Sequence, residues 1–339
     1  MFGKFMNNYY YGKSGKGDYT KDDLPTTRWQ LFWEMLKIRF SGLTRLNLMY
    51  AVAWLPALIV VLYNVLTAYS GLLNMAELEA TQTAAEFAET QAGFLAGVQA
   101  LAMRTLLLLI PCIAITGPFT AGVAYVTRNW ARDEHAFIWS DFRDAVKENW
   151  KQGLAISAIT SVVPIIVYVC WTFYGQMTSQ SILYLLPQIL SLSIALLWLM
   201  SLMYTYPLMV TYKLTFRNLI RNSFILTIGR LPMSIALKLL SLVPAAIALA
   251  VSYLTPYMQW AMLAFFLYYI IIGFALSRFV GASYSNAAFD RYINPNIEGA
   301  EVGRGLYKED EFDTPEVAQQ DFEEQAKQFM GDSDDEKQE

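Results

Sequence analysis

The sequence predicts an all-α membrane protein, a polytopic bundle of six transmembrane helices. Hydrophobic residues make up 55% of the chain and charged residues only 16%, which lies outside the usual range of soluble proteins. The hydrophobic residues form long blocks without Asp or Glu, and ~20 such residues are enough to cross a bilayer. Six blocks qualify, at about 46–70, 98–126, 153–174, 183–212, 233–254 and 260–280.

The basic residues predict the orientation of these six spans. Segments 74–97, 175–181 and 255–259 contain no Lys or Arg, whereas loop 128–151 contains five and loop 213–232 contains four. Cytoplasmic loops of membrane proteins retain Lys and Arg. Both termini are therefore expected in the cytoplasm, and the acidic segment 74–97 is expected as an extracytoplasmic insert.

The chain divides by composition into four parts. Residues 1–27 are polar and predict a disordered cytoplasmic N-terminus, and residues 28–45 predict an amphipathic helix rich in Trp. Such a helix suits the headgroup region of a membrane, and packing on the protein's own loops is the alternative. Residues 46–280 form the membrane domain, and residues 281–339 form an acidic cytoplasmic tail that is expected to be mostly disordered.

An internal repeat relates the second and third spans to the fourth and fifth. The first copy contains Thr116, Gly117, Pro118, Arg128, Asn129 and Arg132, and the second copy, 89 residues later, contains Thr205, Tyr206, Pro207, Arg217, Asn218 and Arg221. Both copies run from the outside to the inside, so the predicted repeat is parallel.

The repeated prolines mark a candidate binding site. Pro118 and Pro207 each precede an arginine by ten residues, about 15 Å of helix, which predicts a position near the bilayer midplane. Proline removes a helical hydrogen bond and frees a carbonyl, and broken helices in two repeats can form a transporter site. Thr116, Gly117 and Thr205 belong to the same candidate set. Proline kinks that serve packing alone are the alternative.

The basic ends of the two copies are candidate contacts with a cytoplasmic partner or with anionic lipid. The residues are Arg128, Asn129, Arg132, Arg217, Asn218 and Arg221. A purely topogenic role, in which the arginines fix orientation, is the alternative.

No reactive constellation is visible in the sequence. Catalytic serine–histidine–acid motifs, paired carboxylates and metal-type spacings are absent, so no enzyme activity, metal or cofactor is expected, and no nucleic acid partner. The blocks contain no acid of the kind that coupled transporters place near the midplane. Arg104 and Lys238 lie within blocks, and their long side chains are expected to snorkel to the nearer surface.

The chain resembles the YesL-like family of bacterial integral membrane proteins of uncharacterised function. The matching features cover roughly residues 1–295 and comprise Leu46-Asn47-Leu48, Trp54-Leu55-Pro56, Ile115 to Ala121, Tyr125, Asp141-Phe142, Lys147, Asn149, Tyr206-Pro207, Asn218 and Pro232, with Gly15, Gly17, Lys21 and Asp22 near the N-terminus. In that family the first apolar segment usually runs directly into the glycine–proline motif, whereas here about 50 residues intervene.

The resemblance implies a multi-pass protein of the bacterial inner membrane with a link to carbohydrate uptake. The first functional hypothesis is an accessory or regulatory subunit, whose partners are the lipid bilayer and a sugar ABC transporter or another membrane protein. The second hypothesis is a stand-alone permease or channel with its site at the proline breaks.

Overall fold

The computed structural model describes residues 24–307 and contains helices and turns but no strands over this range, with 86% helix. The sequence predicts disorder for residues 1–27 and for most of the tail 281–339; residues 1–23 and 308–339 lie outside the described residues, whereas a helix continues into the tail as far as Tyr292. The helices are α1 (Arg28–Glu79), α2 (Ala84–Ala114), α3 (Thr116–Trp130), α4 (Ile138–Met177), α5 (Leu185–Thr211), α6 (Phe216–Gly229), α7 (Leu231–Leu254), α8 (Met258–Tyr268) and α9 (Phe274–Tyr292).

Six helical segments in residues 24–307 are long and apolar enough to cross a membrane. They are Arg28–Glu79, Ala84–Ala114, Ile138–Met177, Ile182–Thr211, Leu231–Leu254 and Met258–Asn296. The predicted fold class, an all-α polytopic bundle, is confirmed, and the protein is a multi-pass membrane protein.

The first helix is longer than the sequence indicated. The boundary drawn at residue 45 between an interfacial helix and the first span is not a helix break, because α1 continues without interruption through it. Arg45 changes the composition of the chain but, as a good helix former, does not end a helix. The helix also accommodates Pro56 in its interior.

Segment 74–97, predicted as an insert between spans, is the tip of a helical hairpin made by α1 and α2. Only a short turn, residues 80–83, separates the two helices. Glu86 closes the start of α2 by accepting a hydrogen bond from the Thr83 N–H (3.1 Å), as in a capping box. Further along, the ring of Phe94 packs 3.0 Å from where a Cβ of Gly71 would lie, so this glycine permits the contact.

The structure forms two compact units. The smaller unit contains residues 24–34 and 303–307 of the described range, and the larger contains residues 35–302. Within the smaller unit, the Tyr307 N–H donates to the Pro25 carbonyl (3.0 Å) and Arg28 Nη1 donates to the Arg304 carbonyl (3.0 Å).

The buried core of the larger unit lies at one end of the bundle. We call this the basic end, and it comprises α3, α6, the start of α4, the ends of α5 and α9, and the connections 131–137 and 212–215. One cluster of buried side chains there consists of Ala121, Ala124, Ile156, Tyr204, Tyr206, Leu208, Met209, Leu219, Leu226, Ala288 and Phe289. By contrast, α2 has no buried residue.

Helix α4, which starts at the basic end, is longer than a bilayer requires. Helix α4 has 40 residues, which corresponds to about 60 Å of helix against ~30 Å of hydrocarbon. Its apolar block begins at 153 and is preceded by an amphipathic stretch with Lys147 and Lys151. The basic end therefore combines the adjoining ends of the apolar blocks with the amphipathic start of α4.

Candidate functional site

The first proline break lies where α2 ends and α3 begins, at Ile115. Pro118 has no N–H, so the carbonyl of Ala114, four residues earlier, loses its usual helical donor. The hydroxyl of Ser157 on α4 donates to this carbonyl. A serine of the neighbouring helix thus satisfies the carbonyl that the proline frees.

The glycine next to this proline allows the backbones of α3 and α4 to touch. A Cβ on Gly117 would lie 2.0 Å from the carbonyl oxygen of Gly153 and 2.2 Å from Oγ of Ser157. A Cβ on Gly153 would lie 2.9 Å from the carbonyl oxygen of Gly117. Neither position has room for a side chain, so Gly117 and Gly153 fix the crossing of the two helices.

The second proline break has the same chemistry. Pro207 in α5 frees the carbonyl of Met203, and the hydroxyl of Ser285 on α9 donates to it (3.1 Å). In both copies, therefore, the oxygen freed by the proline accepts a hydrogen bond from a serine on an adjacent helix.

The two threonines of the candidate site are buried and bonded within their own chain segment. Thr116 Oγ1 donates to the carbonyl of Ile113 (2.8 Å), and Thr205 Oγ1 donates to the carbonyl of Ser201 (2.8 Å). In each copy, therefore, the threonine hydroxyl satisfies a backbone carbonyl that lies three or four residues earlier in the chain.

Both breaks lie in the packed part of the bundle at the basic end, and their position near the bilayer midplane stays a prediction. The first packs on Gly153, which is two residues, ~3 Å of helix, from Lys151. At the second, the guanidinium of Arg278 lies 5.3 Å from the ring centroid of Tyr206. Arg128, from which the first position was counted, lies near the end of α3 and is itself largely buried.

The basic residues of the first copy form a partly buried cluster. Arg128 Nη2 lies 3.7 Å from Glu134 Oε2, and Arg132 Nε lies 3.1 Å from Glu134 Oε1. Arg128 Nη1 also donates to the carbonyl of Val210 on α5 (3.4 Å), and the Arg128 carbonyl accepts from Asn286 on α9 (3.2 Å). Burial, followed by the neighbouring Arg132 charge, lowers the pKa of Arg128, while Glu134 opposes this shift.

Asn129 closes the turn after α3. It is only 5% exposed, and its carbonyl accepts hydrogen bonds from the N–H groups of Arg132 (3.0 Å) and Glu134 (2.8 Å). Its side-chain oxygen is buried without a hydrogen-bond partner among the described residues. The structure thus packs Asn129 into the bundle.

The matching residues of the second copy are instead on the surface. Arg217, Asn218 and Arg221 are exposed on α6. The difference follows from where the helix breaks: at Ile115, before the proline, in the first copy, and at residues 212–215, after the proline, in the second. The structure therefore gives the two basic groups different environments.

A buried asparagine that sequence reasoning left without a role holds an irregular segment of the last span. Tyr269–Gly273 form a π-helical turn between α8 and α9. Asn47 Nδ2 donates to the carbonyls of Tyr269 (2.9 Å) and Ile270 (2.6 Å), and its Oδ1 accepts from the Ala275 N–H (2.8 Å). The only sequence signal was an asparagine at the start of an apolar block.

Two aromatic side chains are exposed at the basic end, at the start of α4. Phe137 and Trp139 are each 66% exposed. Trp139 precedes Gly153 by 14 residues, which places it about 21 Å of helix beyond the start of the apolar block. Phe137 also contacts the ring of His135 edge-on, with 4.6 Å between centroids.

At the opposite end of the bundle, α1 and α2 enclose an open groove of about 420 Å³. Its lining is apolar except for Thr67 and Arg104. Arg104 Nη2 donates to Oδ1 of Asn64 on α1 (3.2 Å). The arginine predicted to snorkel thus extends to a neutral side chain on the adjacent helix.

Together these helices define a multi-pass α-helical membrane protein. Within that class, residues 94–171, which include the first break and its contact with α4, match the family model described as a protein of unknown function, DUF624. YesL-like proteins belong to this family, which agrees with the resemblance at the level of the family. Comparison with curated proteins and with solved structures finds no match.

Proposed function

We propose that the protein is an accessory or regulatory subunit of a membrane uptake system, and that it binds its partner through the basic end. The uptake of carbohydrates is the process that the family resemblance suggests. The proposal places the protein in a bacterial inner membrane with both termini in the cytoplasm, because Lys and Arg are concentrated in the loops of the basic end.

The observation that carries this proposal is the exposure of Phe137 and Trp139. The headgroup layer adds only ~6 Å on each side of the hydrocarbon, so we expect side chains that precede the apolar block by ~21 Å of helix to lie in water. Exposed aromatic side chains in water are typical of protein contact sites, where Trp is enriched among the residues that dominate binding. Arg143 is exposed one turn after Trp139, and arginine is a second residue type that is enriched at protein contact sites.

The hydrogen bonds at the proline breaks favour this proposal over a stand-alone permease. A solute site at a broken helix uses freed backbone groups. Here the carbonyls of Ala114 and Met203 already accept hydrogen bonds from serines, as expected for kinks that serve helix packing. A flux assay in liposomes with a panel of sugars and ions tests the permease hypothesis. Flux that changes when Pro118 or Pro207 is substituted would favour the permease over the accessory role.

Quantitative co-purification from native membranes in mild detergent tests the accessory role. We expect a transporter subunit in stoichiometric amount with the unmodified protein, and at least about fivefold less with a Phe137→Ala, Trp139→Ala double variant. Trp150→Ala is the matched control, because Trp150 is also exposed on α4 but lies only three residues before the apolar block. Recovery of the protein alone, or equal recovery of the partner with both variants, would contradict the proposal.

A further inference from the structure

Lys238 on α7 and Arg278 on α9 lie at a similar level of the bundle. Arg230, just before α7, donates from Nε to the hydroxyl of Tyr284 on α9 (3.0 Å), and this contact relates the two helices. Lys238 follows Arg230 by eight residues and Arg278 precedes Tyr284 by six, about 12 Å and 9 Å of helix. Both steps lead away from the basic end, because α7 begins beside α6 and α9 ends in the basic end. The two positive charges therefore come close enough to repel each other.

The side chains of both cations have unused hydrogen-bond donors. Within residues 24–307, neither side chain makes a hydrogen bond or an ion pair. The guanidinium of Arg278 lies 5.3 Å from the ring centroid of Tyr206, a contact that engages its charge but none of its N–H donors. Lys238 and Arg278 are both partly exposed, so a group outside the protein can reach these donors.

The helices of this pair place no carboxylate beside it. Helix α7 and the connection before it contain no Asp or Glu. Asp290, the acid of α9, lies 12 residues after Arg278, ~18 Å of helix, and it accepts a hydrogen bond from Asn294 Nδ2 (2.6 Å). The positive charge of the pair is therefore not neutralised by an acid of its own helices.

The depth of the pair identifies lipid as its neighbour. Lys238 lies five residues inside the apolar block 233–254, and Arg278 lies two residues before the end of the block 260–280. The outward surface of a span at this depth is covered by lipid, and long basic side chains can reach the phosphates at the edge of the hydrocarbon. Beyond Lys238, α7 exposes apolar side chains on which an acyl chain can lie. They are Leu239, Leu242 and Val243.

We propose that Lys238 and Arg278 together bind the phosphate of one anionic phospholipid in the leaflet at the basic end. Basic pockets between transmembrane helices bind anionic headgroups. A zwitterionic headgroup would bring a further cation to a pair that already repels itself, so the site prefers phosphatidylglycerol to phosphatidylcholine. The site lies within the spans and does not depend on the partner proposed for Phe137 and Trp139.

Lipid binding is measured on the full-length protein in mild detergent, from the rise in melting temperature as phosphatidylglycerol or phosphatidylcholine is added. We expect phosphatidylglycerol to bind at least about tenfold more tightly. Lys238→Gln and Arg278→Gln should each weaken its binding about fivefold, whereas Arg278→Lys keeps the charge and should stay within about twofold. Arg104→Gln is the matched control, because it removes the same charge from another span, where the arginine is bonded to Asn64.

Charge reversal separates the site from damage to the fold. Lys238→Glu gives Arg278 a carboxylate partner, so this variant should melt no lower than the unmodified protein without lipid and should lose the preference for phosphatidylglycerol. Glycerol 1-phosphate has a phosphate but no acyl chains and should cause no shift. A shift equal to that of phosphatidylglycerol would assign the site to a free phosphate ester and overturn the lipid assignment. Equal binding of the two lipids, or an equal effect of Arg104→Gln and Arg278→Gln, would overturn the proposal as well.

Discussion

At the scale of single residues, Pro118 and Ser157 compensate each other across two helices. Ser157→Ala leaves the Ala114 carbonyl without its donor, and we expect a loss of about 2 kcal/mol in the free energy of unfolding. Pro118→Ala returns an N–H to position 118, so the same serine substitution in that background should have an effect below about 0.5 kcal/mol. Denaturation of the four proteins in detergent measures this coupling, and additive effects would show that the serine does not serve the proline.

Gly117 has the least room of the glycines at helix crossings. Gly117→Ala forces a methyl group into the backbone of Gly153, which has no rotamer to change, so the helices must separate. We expect a loss of about 3 kcal/mol in stability, measured by thermal unfolding in detergent. Gly93→Ala, at an open position, is the control and should leave the melting temperature within a degree or two. An equal effect of both substitutions would contradict the crossing described here.

At the scale of elements, the last span depends on one asparagine of the first. Asn47→Leu removes three hydrogen bonds to the π-helical turn, and we expect a loss of about 3 kcal/mol together with faster hydrogen exchange at the Ala275 amide. Asn218→Leu is the control, because Asn218 is exposed on α6. Unchanged exchange at Ala275 would show that the turn forms without Asn47.

The sequence predicts some of these elements and not others for physical reasons. Apolar length alone determines the six spans, so composition was sufficient to place them. The π-helical turn has no such signal, because Tyr269 to Ile272 are apolar or aromatic in either helical form. Its position depends on Asn47, more than 200 residues away in the sequence.

The geometry of the candidate site also depends on residues that are distant in the sequence, so the sequence predicts it only in part. The repeat gave Arg128 and Arg217 equivalent positions, but only tertiary packing decides that Arg128 meets Val210 and Glu134 while Arg217 faces solvent. The serines that bond to the freed carbonyls, Ser157 and Ser285, could not be found from sequence because nothing local relates them to the prolines.

At the scale of the whole molecule, the two ends of the bundle should lie on opposite sides of the membrane. Cys112 and Cys170 are free, so replacing both with Ser gives a background in which single cysteines can be introduced. Ser140 is exposed at the basic end and Ser179 in the turn after α4 at the opposite end.

We expect a membrane-impermeant maleimide to label Ser179→Cys in intact cells and Ser140→Cys only after permeabilisation, since basic loops stay in the cytoplasm. The cysteine-free protein should remain unlabelled in both conditions. The reverse pattern would place Phe137 and Trp139 outside the cell. The partner would then have to be sought there, because side chains on the outer face cannot reach the cytoplasmic part of a transporter.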